Sequence, residues 1–190
     1  MKINNILLFL IPVLLLPLCT EAQIKFEKEY RIKSDEVPES ALQFIRPSEY
    51  DFSEKWYYEE NQLGNSVEAK FRFNKKRYSV EFDTLGNLQD IEIETDFEEL
   101  AEALQSKITA SLQNNYSKHK IRKLQMQYSG DINSLAELLE KPVPQNRYKV
   151  RYEIIVKGRK NRQWNLYEIT YNQAGELKKT DQIIFRNTDN

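Results

Sequence analysis

The feature that most constrains the fold is a short pattern that the chain contains twice, as YSVEFDTLGNL in its first half and YEITYNQAGEL near its C-terminus. In both copies apolar residues recur at every second position, which is typical of a half-buried β-strand. Asp83 is followed three residues later by Gly86, and Asn172 is followed in the same way by Gly175. This spacing is typical of a tight turn that ends in a left-handed residue. Two antiparallel hairpins are therefore predicted.

Apolar residues at helical spacing precede each set of strands. The first helix is predicted over residues 37–45, and the second over residues 97–112, after a Thr95-x-x-Glu98 capping box. Because helix and meander recur in this order, we expect an α+β fold of two tandem repeats, each a helix packed on an antiparallel meander of about four strands. The alternative is that strand, turn and strand form a hairpin pattern that any sheet protein may use twice, without a repeat.

The expected organisation has three parts. Residues 1–22 form a signal peptide, residues 23–95 the first helix-plus-meander repeat, and residues 96–190 the second repeat, which carries an inserted short helix at residues 132–140.

The signal peptide is predicted from an apolar run at residues 6–18, which is shorter than the ~20 apolar residues of a membrane-spanning helix. Cleavage before Gln23 would deliver a mature chain with no membrane span to the periplasm or the exterior. Lipidation of Cys19 is the competing interpretation, and the bulky Leu18 before it argues against that anchor.

Charge and residue types exclude several functions. The 28 basic and 29 acidic residues give a formal net charge of -1, and no basic patch of the kind that binds nucleic acid is present. Neither a cysteine pair, a second histidine nor a calcium-binding loop pattern occurs, and we interpret His119 as a polar residue at the end of a helix. The sequence therefore predicts no catalytic residue, no cofactor and no metal site, and a protein that is not an enzyme.

Aromatic residues are the remaining candidates for a functional site. Trp56, Tyr57 and Tyr58 are consecutive, and on a strand they cannot all face the same side. Together with Trp164 they are the predicted partner-binding residues, because outward tyrosine and tryptophan side chains are common at protein interfaces. The alternative is that these aromatic side chains are core residues that pack under the inserted helix or between the two repeats.

Three segments resemble a known family. The helix DEVPESALQFI and the hairpins YSVEFDTLGNLQDIEIE and LYEITYNQAGELKKTDQIIF, together with the leader, resemble the PepSY-like or β-lactamase-inhibitor-like proteins that bacteria export. The resemblance implies a periplasmic, non-enzymatic binding or inhibitory module. The predicted function is that such a module acts on a protein or peptide partner through a sheet face. The alternative function is a small-ligand carrier or sensor that uses a cleft between the two repeats.

Overall fold

The computed structural model describes residues 23–25, 27–45, 53–61, 64–140 and 147–184. The predicted signal peptide, with Cys19, lies outside these residues. The helices are α1 (Glu39–Ile45), α2 (Glu102–Asn115) and α3 (Ile132–Glu140). The strands are β1 (Gln23–Lys25), β2 (Glu27–Ile32), β3 (Lys55–Asn61), β4 (Gly64–Phe73), β5 (Lys76–Asp83), β6 (Leu88–Glu94), β7 (Lys118–Gly130), β8 (Tyr148–Lys160), β9 (Gln163–Asn172) and β10 (Leu177–Ile183).

All ten described strands form one sheet, in the order β1-β10-β9-β8-β7-β6-β5-β4-β3-β2. Every neighbouring pair is antiparallel except β1 and β10, which are parallel. In the middle of the sheet β6 pairs with β7, from Ile91 opposite Tyr128 to Glu94 opposite Gln125. Hydrogen bonding therefore continues from one half of the chain to the other.

The predicted fold of two tandem helix-plus-four-strand repeats is wrong, because the described residues form one mostly antiparallel sheet with three short helices. The physical reason is the pairing of β6 with β7, since a strand edge left unpaired would expose a row of backbone hydrogen-bonding groups. The sheet is continuous across residues 95 and 96, where the boundary between the two domains was placed, and that boundary stays a prediction.

Both predicted turns are confirmed. The backbone N–H of Gly86 donates to the Asp83 carbonyl at 2.9 Å, and the N–H of Leu85 donates to Asp83 Oδ1 at 2.9 Å. In the second turn the N–H of Gly175 donates to the Asn172 carbonyl at 2.9 Å. The φ angles of the two glycines are 84° and 77°, in the region that favours glycine.

The second helix begins later than the capping box predicted. A 3-10 turn at Phe97–Glu99 comes first, and α2 starts at Glu102. Thr95 does not cap the helix, since Ala101 is the N-cap residue of α2. The Thr95 N–H donates to the Leu124 carbonyl of β7 at 3.1 Å, and the Thr95 hydroxyl donates to Glu99 Oε2 at 2.9 Å. The sheet therefore competes with the helix for Thr95. The helix α3 covers the segment in which an inserted helix was predicted.

The three helices contribute to one apolar core on one face of the sheet. The ring of Phe44 in α1 lies 5.7 Å from that of Phe82, and the Tyr171 hydroxyl donates to Ser111 Oγ of α2 at 3.1 Å. In α3, Leu135 is fully buried in the same core. The opposite face of the sheet is left to the polar positions of the strands.

The sheet is strongly curled. One residue separates β1 from β2 in the chain, so the Cα atoms of Lys25 and Glu27 are no more than about 7.6 Å apart. These strands nevertheless occupy opposite edges of the sheet, which in a flat sheet of this size would lie about 43 Å apart. The two edges therefore approach each other where β1 ends and β2 begins.

Candidate functional site: the carboxylate face

A row of carboxylates crosses the sheet on the face opposite the helices. Glu68 on β4 lies directly opposite Glu81 on β5, and Glu81 lies directly opposite Asp90 on β6. Glu92 of β6 and Glu153 of β8 are on the same face, since their strands alternate in phase with the row. The face that carries these five residues is called the carboxylate face below.

Several polar side chains on the carboxylate face are buried. Ser66, Glu68, Gln125 and Asp181 are between 2% and 9% exposed. Because no described helix lies on this face, their burial indicates that the carboxylate face is the inner side of the curled sheet. The acidic groups are thereby brought close together in a region that solvent screens poorly.

Two glutamine side chains hold part of this carboxylate cluster. The Gln127 amide donates to Asp90 Oδ2 at 3.2 Å and to Glu153 Oε1 at 3.1 Å. The Gln125 amide donates to Glu92 Oε2 at 2.7 Å. Asp90 Oδ1 is shielded from solvent and has no hydrogen-bond partner among the described residues. The face therefore retains unused acceptor capacity at its centre.

Burial and like charge change the protonation of this face. Burial raises the pKa of Asp90 to about 8, and the neighbouring carboxylates of Glu81, Glu153 and Glu68 contribute to the rise. Burial also holds the pKa of Glu92 well above its ordinary value, with Glu153 as the next cause. At neutral pH the face therefore carries protons that a cationic ligand would displace.

Asp90→Asn is expected to reduce the loss of stability that the wild-type protein shows as the pH rises. The pKa of Asp90 is about 8 in the folded protein and about 3.9 in an unfolded chain, so the folded state binds more protons between these values. The stability contributed by this group is fully present below about pH 4 and is lost as the pH rises through about 8. Thermal melts between pH 5 and pH 9 measure this dependence.

In these melts the melting temperature of Asp90→Asn should exceed that of the wild-type protein by a margin that grows with pH and reaches several degrees at pH 9. The exposed Asp96 supplies the matched control, Asp96→Asn, whose melting temperature should follow that of the wild type at every pH. If the melting temperatures of all three proteins changed with pH in the same way, ionisation of Asp90 would not reduce the stability of the fold.

Lys70 is a cationic group of the carboxylate face. Its Nζ lies 2.5 Å from Glu29 Oε2, 2.9 Å from Glu68 Oε2 and 4.9 Å from the centre of the Tyr57 ring. Although burial lowers the pKa of Lys70, Glu68 and Glu29 raise it overall above its ordinary value. Lys70 therefore remains charged and already occupies one cation position on this face.

The structure separates the four predicted partner-binding residues. Trp56 is 4% exposed and its ring lies 6.1 Å from that of Phe82, so it belongs to the core and a partner cannot reach it. Tyr58 lies on the same helix-covered face, and its ring is 5.5 Å from that of Tyr30. These two residues follow the alternative in which the aromatic side chains pack against the core.

Tyr57 and Trp164 lie on the carboxylate face. Tyr57 is directly opposite Glu68. Trp164 is 46% exposed near the β8–β9 turn, with Lys157 Nζ 5.7 Å from the centre of its ring. These two aromatic residues are therefore available to a partner on the same face as the carboxylates.

The sequence analysis did not identify the carboxylates, because they occupy the polar positions of alternating strands. Their alternation with apolar residues was visible, but the register that aligns them was not. His119, interpreted as a helix-end residue, is on strand β7 opposite Gly158, while α2 ends at Asn115. The even spacing of acidic residues within polar strand positions was the only available signal.

No family model matches the chain, and no curated protein matches it at a significant level. Among solved structures, the fold is similar to that of a DUF2874 family protein from Bacteroides ovatus, with a TM-score of 0.50 and 16% identity over 77% of this chain and 87% of that chain. A Bacteroides eggerthii protein described provisionally as periplasmic aligns with a TM-score of 0.47 and 17% identity over 77% of this chain and 88% of that chain. The first similarity shows a shared fold.

None of the described helices is long and apolar enough to cross a membrane.

Proposed function

We propose that this protein is a non-enzymatic binding module of the cell envelope, and that its carboxylate face takes a segment rich in lysine or arginine from a protein or peptide partner. The observation that carries the proposal is the row formed by Glu68, Glu81 and Asp90 on three adjacent strands. The acidic side chains and their positions define the chemistry of the partner.

The row is costly to the fold in the absence of a cation. Acidic groups directly opposite each other on neighbouring strands either repel when both are ionised or force one of them to keep its proton, as Asp90 does, and burial increases either cost. An amide side chain at Glu81 would avoid that cost, so binding of a cationic partner supplies a reason for an acidic residue at this position. A guanidinium or ammonium group beside the row would form charge-assisted hydrogen bonds with the same oxygens.

Aromatic residues on the carboxylate face support the same kind of partner. Lys70 lies over Tyr57 and Lys157 lies over Trp164, so both rings already accept a cation from this chain. Tyr57 lies directly opposite Glu68, so a partner's lysine or arginine side chain would find a ring face beside the row at this position. Tyr57 and Trp164 therefore remain the aromatic anchors of the proposed surface.

Localisation to the periplasm or the exterior is part of the proposal and follows from the predicted leader at residues 1–22. Membership of the PepSY-like or β-lactamase-inhibitor-like proteins is likewise proposed, on the resemblance of the helix and hairpin segments. Both agree with a protein that works by contact.

The small-ligand alternative has less support. Because β6 and β7 are paired, no cleft separates the two halves of the sheet at this point. The depression that the described residues form beside the β4–β5 turn is polar, and it is lined by Arg72, Lys75, Lys76, Arg77, Glu94, Thr95, Asp96 and Glu99. Such a lining is unlike the apolar pocket that typically encloses a small ligand.

A calorimetric titration tests the proposal. The wild-type protein is titrated with an arginine-rich peptide and with a glutamate-rich peptide of equal length, at low and at moderate salt. We expect the arginine-rich peptide to bind, and Glu81→Gln to weaken that binding about tenfold, equivalent to 1.4 kcal/mol. Melting curves should show Glu81→Gln to be at least as stable as the wild type, since the substitution removes repulsion.

Glu98→Gln is the matched control, because Glu98 is an exposed glutamate away from the carboxylate face. It should bind the arginine-rich peptide as the wild type does. Equal affinity for the two peptides, or equal losses in Glu81→Gln and Glu98→Gln, would exclude the carboxylate face as the binding surface.

A further inference from the structure

We infer that Glu29, Glu59, Glu68 and Ser66 form a site for a hard divalent cation, and that Ca²⁺ is the ion that fits it best. The site lies at the β2–β4 end of the carboxylate face. It goes beyond the proposed partner binding, because it requires no partner and shares only Glu68 with the row, its other ligands being Glu29 of β2, Glu59 of β3 and Ser66 of β4.

The cross-strand register places these side chains together. Glu29 of β2 is directly opposite Glu59 of β3, and Glu59 is directly opposite Ser66 of β4. Glu68 lies two residues further along β4, so its side chain is on the same face. One carboxylate oxygen from each of the three glutamates lies within 4.8 Å of the others, a separation that a single cation can bridge.

Ser66 is the observation that distinguishes this site from an ordinary acidic patch. Its side chain is 3% exposed, and its Oγ has no hydrogen-bond partner among the described residues. A buried hydroxyl without a partner destabilises a fold by about 1 to 3 kcal/mol. As a ligand to a cation beside Glu59, the same oxygen would be satisfied.

The charge of the cluster also calls for a cation. The three glutamates contribute a charge of about -3 when ionised, and the Lys70 ammonium, which contacts Glu29 and Glu68, offsets about one unit. A divalent ion in place of the ammonium group would offset about two units of this charge. All the ligands are oxygen atoms, which suits Ca²⁺ with its six to eight oxygen ligands and flexible geometry.

Lys70 competes for this position. Its Nζ bridges two of the three glutamates, so a bound ion has to displace the ammonium group. Binding would then replace an internal ion pair with a metal that links β2 to β4. Edge strand β2 would be held more firmly in the presence of the ion.

The test uses the full mature chain, freed of metal with a chelator and titrated with CaCl₂ or MgCl₂ by calorimetry and in thermal melts. We expect Ca²⁺ to bind in the range of about 10⁻⁴ to 10⁻³ M, typical of extracellular modules, and to raise the melting temperature. Glu59→Gln should weaken Ca²⁺ binding at least tenfold. Glu60→Gln, on the other face of the same strand, should leave it unchanged.

Two further variants keep the proposal testable if Glu59→Gln folds poorly. Lys70→Met should tighten Ca²⁺ binding several-fold, because the competing ammonium group is removed. Tb³⁺ bound at the site should emit when tyrosine is excited, and Tyr57→Phe should reduce that emission while the Ca²⁺ response of the melting temperature persists. Absence of a Ca²⁺ response in the wild type, or equal responses in Glu59→Gln and Glu60→Gln, would overturn the assignment.

Discussion

Trp56→Ala is expected to lower the free energy of unfolding by about 3 to 5 kcal/mol, because the substitution leaves a large cavity in the core. Trp56 is 4% exposed, and its ring lies 6.1 Å from that of Phe82. Its indole N–H has no hydrogen-bond partner among the described residues, so the apolar ring is the part that stabilises the fold. Denaturant unfolding followed by tyrosine and tryptophan fluorescence measures the loss.

Trp164→Ala is the matched control, since it removes the same side chain from a site that is 46% exposed. Its cost should be within about 0.5 kcal/mol, as for most surface substitutions. Binding of the arginine-rich peptide should instead weaken in Trp164→Ala, whose fold remains intact. Similar losses of stability in the two variants would contradict the assignment of Trp56 to the core and Trp164 to the surface.

Gly86→Val is expected to cost roughly 2 to 5 kcal/mol, because backbone strain and overpacking act together. The φ of Gly86 is 84°, which disfavours a β-branched side chain. A Cβ at this position would also overlap Ser40 Oγ and lie 2.8 Å from Pro38 Cβ, at the start of α1. Thermal and denaturant melts of the variant measure the loss.

Substitutions at two other glycines separate the effect of backbone strain from the effect of steric overlap. Gly64 has a φ of 145°, and no described atom lies within 4 Å of a Cβ built there, so Gly64→Val tests strain alone and should cost less. At Gly175 the nearest atom is Leu104 Cδ1 at 2.7 Å, the end of a flexible side chain, so Gly175→Val should fall between the two. If Gly86→Val were as stable as Gly64→Val, steric overlap between the turn and the start of α1 would not contribute to the loss.

Local patterns were enough to predict the parts of this fold that depend on neighbours in sequence. The turn at Asp83 and Gly86 needs a side-chain acceptor and a residue with positive φ, and both are visible in the chain. The start of α2 was predicted too early because Thr95 bonds to Leu124, which is remote in sequence and contributed nothing to the local pattern.

The order in which the strands pair in the sheet was not predictable from local patterns. Alternation shows which face of a strand is buried, but it does not show which strand lies at each edge. The pairing of β6 with β7, and the position of β1 and β2 at opposite edges, are contacts between distant segments. They turned two expected repeats into one curled sheet.

By itself the sequence determined which residues form strands and where the two Asx-to-glycine turns lie. It also determined that the acidic residues take the polar positions of the strands. Only the tertiary structure decided that Glu68, Glu81 and Asp90 form one row and that Glu29, Glu59 and Ser66 meet at its end. The reason is that a period of two assigns each side chain to a face, whereas register between strands decides its neighbours. Repulsion, raised pKa values and cation binding all depend on those neighbours.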